Sequence, residues 1–521
     1  MRRRLPPWTF GVLIALAFLA AYARTLAPTV LPDDAGEMQV LDWALGLGHS
    51  IGYPLYLGVS HLLSHGLILW GEPAYRMNLV SALFGALSLG LFYALTFSLC
   101  PGRTWARTLG SAAAALVLGY SYTLWSVSIV AEMYTLQLLL SLTVFFFLSR
   151  WDRGEGNRSL AAAGFVFGLM FGNHASTIAL APALLAAALL GDARKGSRLR
   201  LLAVTAASAL LGLLLGDVLP FWLIWRRHLP YDVWNGVFVR CADLFPDDRI
   251  DGSSFWSAWR FCIRSRQVAD GLFHPREGFV AAQLAILPLR FIAELSPLVA
   301  ISALLGAWKG SASRRMDRIL LIAALSCCLS TLAYSMTDKT RIYLLNAFAV
   351  AALYAGVFVS RWADAGRRRS PFVWAAALAL IALNYGLTRP AAAALARERP
   401  GLFEVLIPAG APHPDLHEDR RTRDEALAFV DKLEPDAIVF TNWWGLYPIE
   451  YVARFVKGWS GLEVCDLTPS AGTRSGRIAR YYQDAIETRN VHRRPVYFIG
   501  HVPDAYRAQA RPISPGLWRL E

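Results

Sequence analysis

The chain is built around apolar runs long enough to cross a bilayer, and no soluble fold has room for so many. A helix needs roughly 20 apolar residues to traverse the hydrocarbon. About eleven runs reach or approach that length, near 8–25, 77–99, 108–125, 134–149, 160–173, 176–190, 201–225, 281–306, 319–336, 342–360 and 371–388. With 55% hydrophobic and only 17% charged residues among 521, the bilayer must be part of its solvent. Arg2, Arg3 and Arg4 ahead of the first run resemble a signal peptide. No convincing cleavage site follows, however, and many spans do, so the run reads as an uncleaved first span.

Basic residues sort the connections. Arg103 and Arg107; Arg150, Arg153 and Arg158; Arg194, Lys195, Arg198 and Arg200; Lys309, Arg314, Arg315 and Arg318; and Arg361, Arg367, Arg368 and Arg369 all fall on alternate connections. By the positive-inside rule they mark the cytoplasmic face together with the N-terminus. The net charge of +13 is therefore a topological signal rather than a nucleic-acid patch, and no nucleic-acid partner is expected. The opposite face receives loops 26–76 and 226–278 and, after an odd number of spans, the whole tail. In that tail polar helical patterns alternate with the apolar runs 437–440, 462–464 and 496–499, which implies a small α/β domain. The predicted organisation is a membrane domain over 1–388 and an extracytoplasmic α/β domain over 389–521, in a bacterial inner (plasma) membrane. Six cysteines show no metal-ligand spacing, and only Cys241 with Cys262 could bridge.

Carboxylates and imidazoles beside a membrane are expensive to desolvate, so their positions are informative. Directly after the first run comes Pro28-Thr29-Val30-Leu31-Pro32-Asp33-Asp34-Ala35-Gly36-Glu37. Then follow His49-Ser50-Ile51-Gly52-Tyr53-Pro54, Ala131-Glu132-Met133-Tyr134-Thr135, Gly172-Asn173-His174 and Asp338-Lys339-Thr340-Arg341. The topology puts them all on the non-cytoplasmic face, and a shared site is the economical explanation. Each has a plainer reading. Asp33 and Asp34 with Glu37 could form a capping box. Glu132 and Tyr134 could anchor a helix at the headgroups. Asn173 and His174 could close a helix end, and Lys339 and Arg341 could touch lipid headgroups.

These ordered motifs, Asp34-x-Gly36-Glu37, His49-x-x-Gly52-Tyr53-Pro54-Leu55-Tyr56, Asn78-x-x-Ser81, Glu132-x-Tyr134-Thr135 and Gly172-Asn173-His174, resemble a membrane family that includes a transmembrane protein O-mannosyltransferase. That family sits within the GT-C glycosyltransferases, and the resemblance covers roughly the first 180 residues. One departure is Ser50-Ile51, where the family usually has Pro-Pro, which loosens that turn. The resemblance implies a GT-C fold, which with the apolar runs makes an α-helical polytopic protein of about eleven spans. It also implies inverting transfer of a sugar, mannose or another hexose, from a polyprenyl-phosphate donor to a hydroxyl of a protein, glycan or lipid acceptor.

Such chemistry needs a base, support for the leaving phosphate and a lipid-accessible groove. Asp34 is the expected base, with Glu37 one turn later and Asp33 as the fallback. Arg341, with Lys339 and His174, is expected at the phosphate, since a guanidinium matches phosphate oxygens bidentately. His49, Tyr53, Glu132, Tyr134 and Asn173 are expected to bind sugar or acceptor. The residues do not decide whether a cofactor is needed; Asp34 and Glu37 could hold a divalent cation, Mg²⁺ or Mn²⁺. In the tail, Thr441-Asn442-Trp443-Trp444-Gly445 reads as a carbohydrate- or partner-binding edge. The main rival is a transporter or flippase of lipid-linked saccharides. Transporters, however, usually place ionisable groups near the midplane in repeated halves, and no repeat is evident.

Overall fold

The computed structural model describes residues 6–49, 52–190, 197–232, 254–263, 278–333, 341–365, 415–466 and 494–521. The helical part runs α1 (Trp8–Thr25), α2 (Asp33–Ala44), α3 (Pro54–Gly66), α4 (Pro73–Leu99), α5 (Thr104–Gly119), α6 (Tyr122–Ser128), α7 (Tyr134–Asp152) and α8 (Asn157–Leu169). It continues with α9 (Ala181–Leu189), α10 (Arg198–Leu213), α11 (Leu219–Trp225), α12 (Phe255–Ile263), α13 (Phe279–Leu295), α14 (Pro297–Lys309), α15 (Arg314–Ala333) and α16 (Leu345–Ala365). Among the described residues five helices are long and apolar enough to cross a membrane, or six if α13 and α14 count as one bent span. The run near 371–388 lies outside the described residues.

Two of the expected spans are broken, each for a local reason. The run 108–125 ends at Gly119, and a new helix starts at Tyr122 because the Ser121 side chain accepts a hydrogen bond from the Leu124 N–H. The run 281–306 bends by 104° at Ser296. That residue adopts φ +70° and accepts from Val299 N–H, while Pro297 opens the next helix. The loop expected over 226–278 contains α12. Cys241 and the side chain of Cys262 lie outside the described residues.

Helix packing relies on small residues, as expected where apolar lipid offers no hydrophobic drive to associate. A Cβ on Gly168 of α8 would stand 2.0 Å from the Ala209 carbonyl of α10, and one on Gly212 of α10 would stand 2.0 Å from the Phe165 carbonyl of α8. The arginine-rich connections share one face: Arg103 N–H donates to Asp364 at 3.1 Å, Ala312 N–H to the Leu99 carbonyl at 2.8 Å, and Arg315 to Asp152 at 3.1 Å. The acidic motifs share another, where Ala27 N–H bonds the Ile129 carbonyl at 3.1 Å and Glu294 accepts from both Thr123 N–H and its hydroxyl.

The tail folds as α17 (Arg421–Val430), β1 (Ile438–Thr441), α18 (Trp443–Tyr451), β2 (Glu463–Asp466), β3 (Val496–Ile499), β4 (Ala510–Ser514) and β5 (Leu517–Leu520). The sheet order is β2-β1-β3-β5-β4. Strands β2 and β3 pair parallel with β1, and β5 pairs antiparallel with β3 and β4. The three apolar runs are the three parallel strands: the central β1 and β3 are buried throughout, and the edge strand β2 is buried only at Val464 and Cys465. The terminal hairpin was not anticipated, and the helical pattern near 477–488 lies outside the described residues. The tail docks on the face that carries the acidic motifs: Tyr451 Oη accepts from Ala74 N–H at 3.3 Å, and Leu416 N–H donates to the Thr25 carbonyl at 3.0 Å.

Candidate active site

Helix α2 buries Glu37, Gln39 and Asp42 completely, which is costly unless each group is paired or protonated. Glu37 is paired. Its Oε1 accepts from the His49 N–H at 2.6 Å, and its Oε2 meets His49 Nδ1. Gly48 makes this possible, since a Cβ there would stand 2.9 Å from the Tyr53 ring and 3.3 Å from Glu37 Oε1. Gly52 at φ +79° and Tyr53 at φ +49° turn the chain through left-handed backbone. The Tyr53 hydroxyl then meets His49 Nε2 at 3.1 Å. The motif is a turn that fixes one imidazole against one carboxylate.

Burial lowers His49, but Glu37, Asp34 and Glu132 outweigh it and push the imidazole up to about 10. Burial also raises Glu37 against the pull of His49. Both directions agree: the pair keeps a shared proton across neutral pH. Burial beside the same carboxylates holds Tyr53 well above its ordinary range.

Asp34 is half-buried and accepts a hydrogen bond from Trp443 Nε1 at 3.3 Å. Trp443 also sets its ring edge-on to His49, 5.7 Å between centroids. Helix α18, which follows the first strand of the tail sheet, therefore closes the site. Behind it, Pro448 faces Gly36. No side chain caps α2, whose preceding residue is Pro32, so the capping-box reading is not realised. Asp33 opens the helix at φ +63°.

Aromatic rings form the opposite wall. His174 lies 5.2 Å from Tyr134, 5.6 Å from Tyr343 and 6.2 Å from Tyr53, centroid to centroid. Its Nδ1 accepts from Ser176 N–H at 3.0 Å, which leaves the proton on Nε2. Burial and the nearby His49 charge push its pKa down to about 4. His174 thus caps a 3₁₀ turn and is a neutral donor, not a cation. Asn173 donates to the Met133 carbonyl at 3.1 Å and to Gln137 at 2.8 Å, so it fixes the Glu132–Tyr134 segment. Glu132 is nearly buried, its backbone N–H held by Ser81 Oγ at 3.1 Å. Arg341 lies over the Tyr122 ring at 4.5 Å, two residues before the Tyr343 that packs on His174. Lys339 lies outside the described residues.

Sequence reasoning missed Gln39, and it placed Trp443 on a binding edge of the tail rather than at the acid. Gln39 Oε1 accepts from Leu31 N–H at 2.8 Å and its Nε2 donates to Asn78 at 2.8 Å. Asn78 in turn donates to the Ala27 carbonyl at 2.8 Å. Together they fix the loop that presents Asp33 and Asp34. Asp34, Glu37 and His49 each offer one donor atom, all within 4.8 Å of one another, a donor set that fits a divalent cation.

The chain is a polytopic helical membrane protein whose acidic first loop is closed by a small α/β domain. Residues 34–197 match the family described as the N-terminal domain of protein O-mannosyl-transferase TMEM260, which bears out the resemblance drawn from the motifs. The protein O-mannosyl-transferase TMEM260 of Mus musculus is 35% identical over 150 residues, a match covering 27% of this chain and 20% of the mouse protein. The Dictyostelium discoideum protein of the same description is 26% identical over 143 residues, covering 27% of this chain and 16% of that one. The chain thus spans about a fifth or less of the curated relatives it matches.

Among solved structures, ArnT from Cupriavidus metallidurans bound to undecaprenyl phosphate aligns with TM-score 0.56 at 15% identity, over 98% of this chain and 97% of that one. The Archaeoglobus fulgidus oligosaccharyltransferase in complex with Zn and sulfate aligns with TM-score 0.54 at 14% identity, over 95% of this chain and 68% of that one. These likenesses show a shared fold.

Proposed function

We propose that the protein is an inverting GT-C glycosyltransferase that moves a hexose, mannose or another, from a polyprenyl-phosphate carrier to an acceptor hydroxyl, a protein Ser or Thr. The carrying observation is that one half-buried carboxylate, Asp34, is pinned by Trp443 beside a fully buried Glu37 that is paired to a half-buried His49. Supporting it are the TMEM260 match over residues 34–197 and the fold shared with a structure bound to undecaprenyl phosphate.

In this reading the acceptor oxygen bonds to the anomeric carbon as the bond from that carbon to the phosphate oxygen breaks. The acceptor proton passes to Asp34, which the Trp443 N–H holds in position. Glu37 does not reach substrate. It holds His49 in place and charged, so that an imidazolium faces the pocket, with Tyr53 fixed behind it. Arg341 supports the leaving phosphate, and His174 donates from Nε2 to a sugar or phosphate oxygen. Glu132 and Tyr134 line the sugar site that Asn173 keeps in register. The site faces away from the arginine-rich connections, hence out of the cytoplasm, with the N-terminus inside and the tail outside a bacterial inner membrane.

Asp34 and Glu37, with His49 deprotonated, would hold a divalent cation. A nitrogen donor beside two carboxylates suits Mn²⁺ or Zn²⁺ better than Mg²⁺. Such an ion would neutralise charge on the departing phosphate.

The test is transfer of mannose from polyprenyl-phosphate mannose to a Ser/Thr peptide by the purified protein in lipid. Asp34→Asn is expected to lower turnover at least about 10²-fold while the fold and donor binding persist. Full activity of that variant would remove Asp34 as the base.

A further inference from the structure

The tail carries an open cleft of about 380 Å³ beside the acidic motif, with Pro32, Thr441, Asn442, Trp444, Ile499 and Gly500 among its walls. Its position follows from the sheet order. From β1 the chain leaves through α18 toward β2, whereas from β3 it leaves the other way toward β5 and β4. Adjacent parallel strands whose onward connections diverge leave a crevice outside their carboxyl ends, the recurrent ligand position in open α/β sheets. Thr441 ends β1 and Asn442 follows it, and Ile499 ends β3 and Gly500 follows it. The crevice is thus where the topology requires it to be.

Two features connect it to the chemistry. One wall is Pro32, the residue immediately before Asp33 and Asp34. The other is Trp444, which is 58% exposed and adjacent in sequence to Trp443, whose indole donates to Asp34. A molecule seated on Trp444 therefore lies one residue from the group that orients the carboxylate, with a membrane-domain residue as its opposite wall.

Resting on the glycosyltransferase reading above, the geometry points to this crevice as the acceptor subsite, taking an extended, weakly charged peptide whose Ser or Thr hydroxyl reaches Asp34. The lining favours peptide over glycan. Pro32, Pro448, Phe429, Ile449 and Ile499 offer apolar surface for side chains, and the Asn442 carbonyl oxygen of the side chain is already committed to Gly445 N–H. That leaves the Asn442 amide N–H, the Thr422 hydroxyl and the Glu425 carboxylate to meet a peptide backbone, with Trp444 as the aromatic anchor typical of such sites.

Two measurements on the full-length protein in lipid test this. First, a photoreactive phenylalanine placed at Trp444 in the Asp34→Asn background should crosslink a labelled Ser/Thr peptide. Excess unlabelled peptide should compete and an oligosaccharide should not. Second, Trp444→Ala, a change at an exposed side chain, should raise the peptide KM about tenfold with kcat within about twofold and donor binding unchanged. Crosslinking without sugar transfer by the wild type would keep the subsite and sink the glycosyltransferase reading. Transfer with no crosslink and an unchanged peptide KM would keep the reading and overturn the subsite. Competition by oligosaccharide in place of peptide would overturn the peptide assignment.

Discussion

The indole N–H of Trp443 donates to Asp34 at 3.3 Å across 409 residues of sequence, so the last folded unit of the chain orients a carboxylate from its first loop. Trp443→Phe would keep the ring against Tyr447, now 5.6 Å away and edge-on, yet remove the donor. A hydrogen bond to a charged group contributes about 1.5–3 kcal/mol. Turnover should therefore fall about ten- to hundredfold with donor affinity nearly unchanged. An unaltered kcat would show that the bond does not serve the reaction.

The Glu37–His49 pair makes a directional pH prediction. His49 is raised from 6.5 to about 10 in the folded protein. The stability it contributes is thus fully present below about pH 6.5 and is lost as pH rises through about 10. The thermal midpoint of the wild type should decline over that window. Glu37→Gln removes the largest upward influence on His49 and leaves burial to lower it, so the decline should move to lower pH. Ring-proton titration of His49 by NMR should show the same downward shift, and a titration unchanged in Glu37→Gln would contradict the pairing.

What the sequence made legible follows how far each interaction reaches. Asp34, Glu37, His49 and Tyr53 sit within two neighbouring motifs, where residue type and spacing carry the geometry. His174 and Tyr134 were placed at the same site by topology alone, and their rings do meet. Trp443 could not be assigned to Asp34, because nothing local to either residue specifies a contact between a distant sheet domain and a membrane loop. Gln39 was invisible for a related reason: a single amide in a short helix announces neither of the loops it ties together. The break at Ser296 was missed although Glu294 and Ser296-Pro297 interrupt the run there, because the apolar stretches on either side together read as one long span. The local φ and the serine cap decide the bend.

Asp42 is fully buried, and neither carboxylate oxygen has a hydrogen-bond partner among the described residues. Burial and the nearby Glu37 push it well above the ordinary carboxylate range, which favours the neutral acid. A carboxyl raised in this way costs stability above its unfolded pKa, and the cost disappears as pH falls. Asp42→Asn supplies a permanently neutral group of the same shape. It should raise the thermal midpoint at pH 7 and flatten the gain that the wild type shows on acidification toward pH 5. A lower midpoint for the variant would mean that Asp42 is charged and paired in the native state.

The donor atoms of Asp34, Glu37 and His49 lie within 4.8 Å of one another, yet His49 Nδ1 is already engaged by Glu37. A cation and the shared proton must therefore compete for the same atoms. Calorimetry with Mn²⁺ or Zn²⁺ should show binding that releases close to one proton per ion near neutral pH. Affinity should strengthen about tenfold per pH unit until His49 titrates, because each ion displaces one proton. His49→Gln should abolish that pH dependence, since the proton to be displaced is gone, whereas Asp34→Asn should weaken binding but leave the release intact. Ion binding without proton release would place any cation elsewhere and leave the imidazolium as the resident charge of the site.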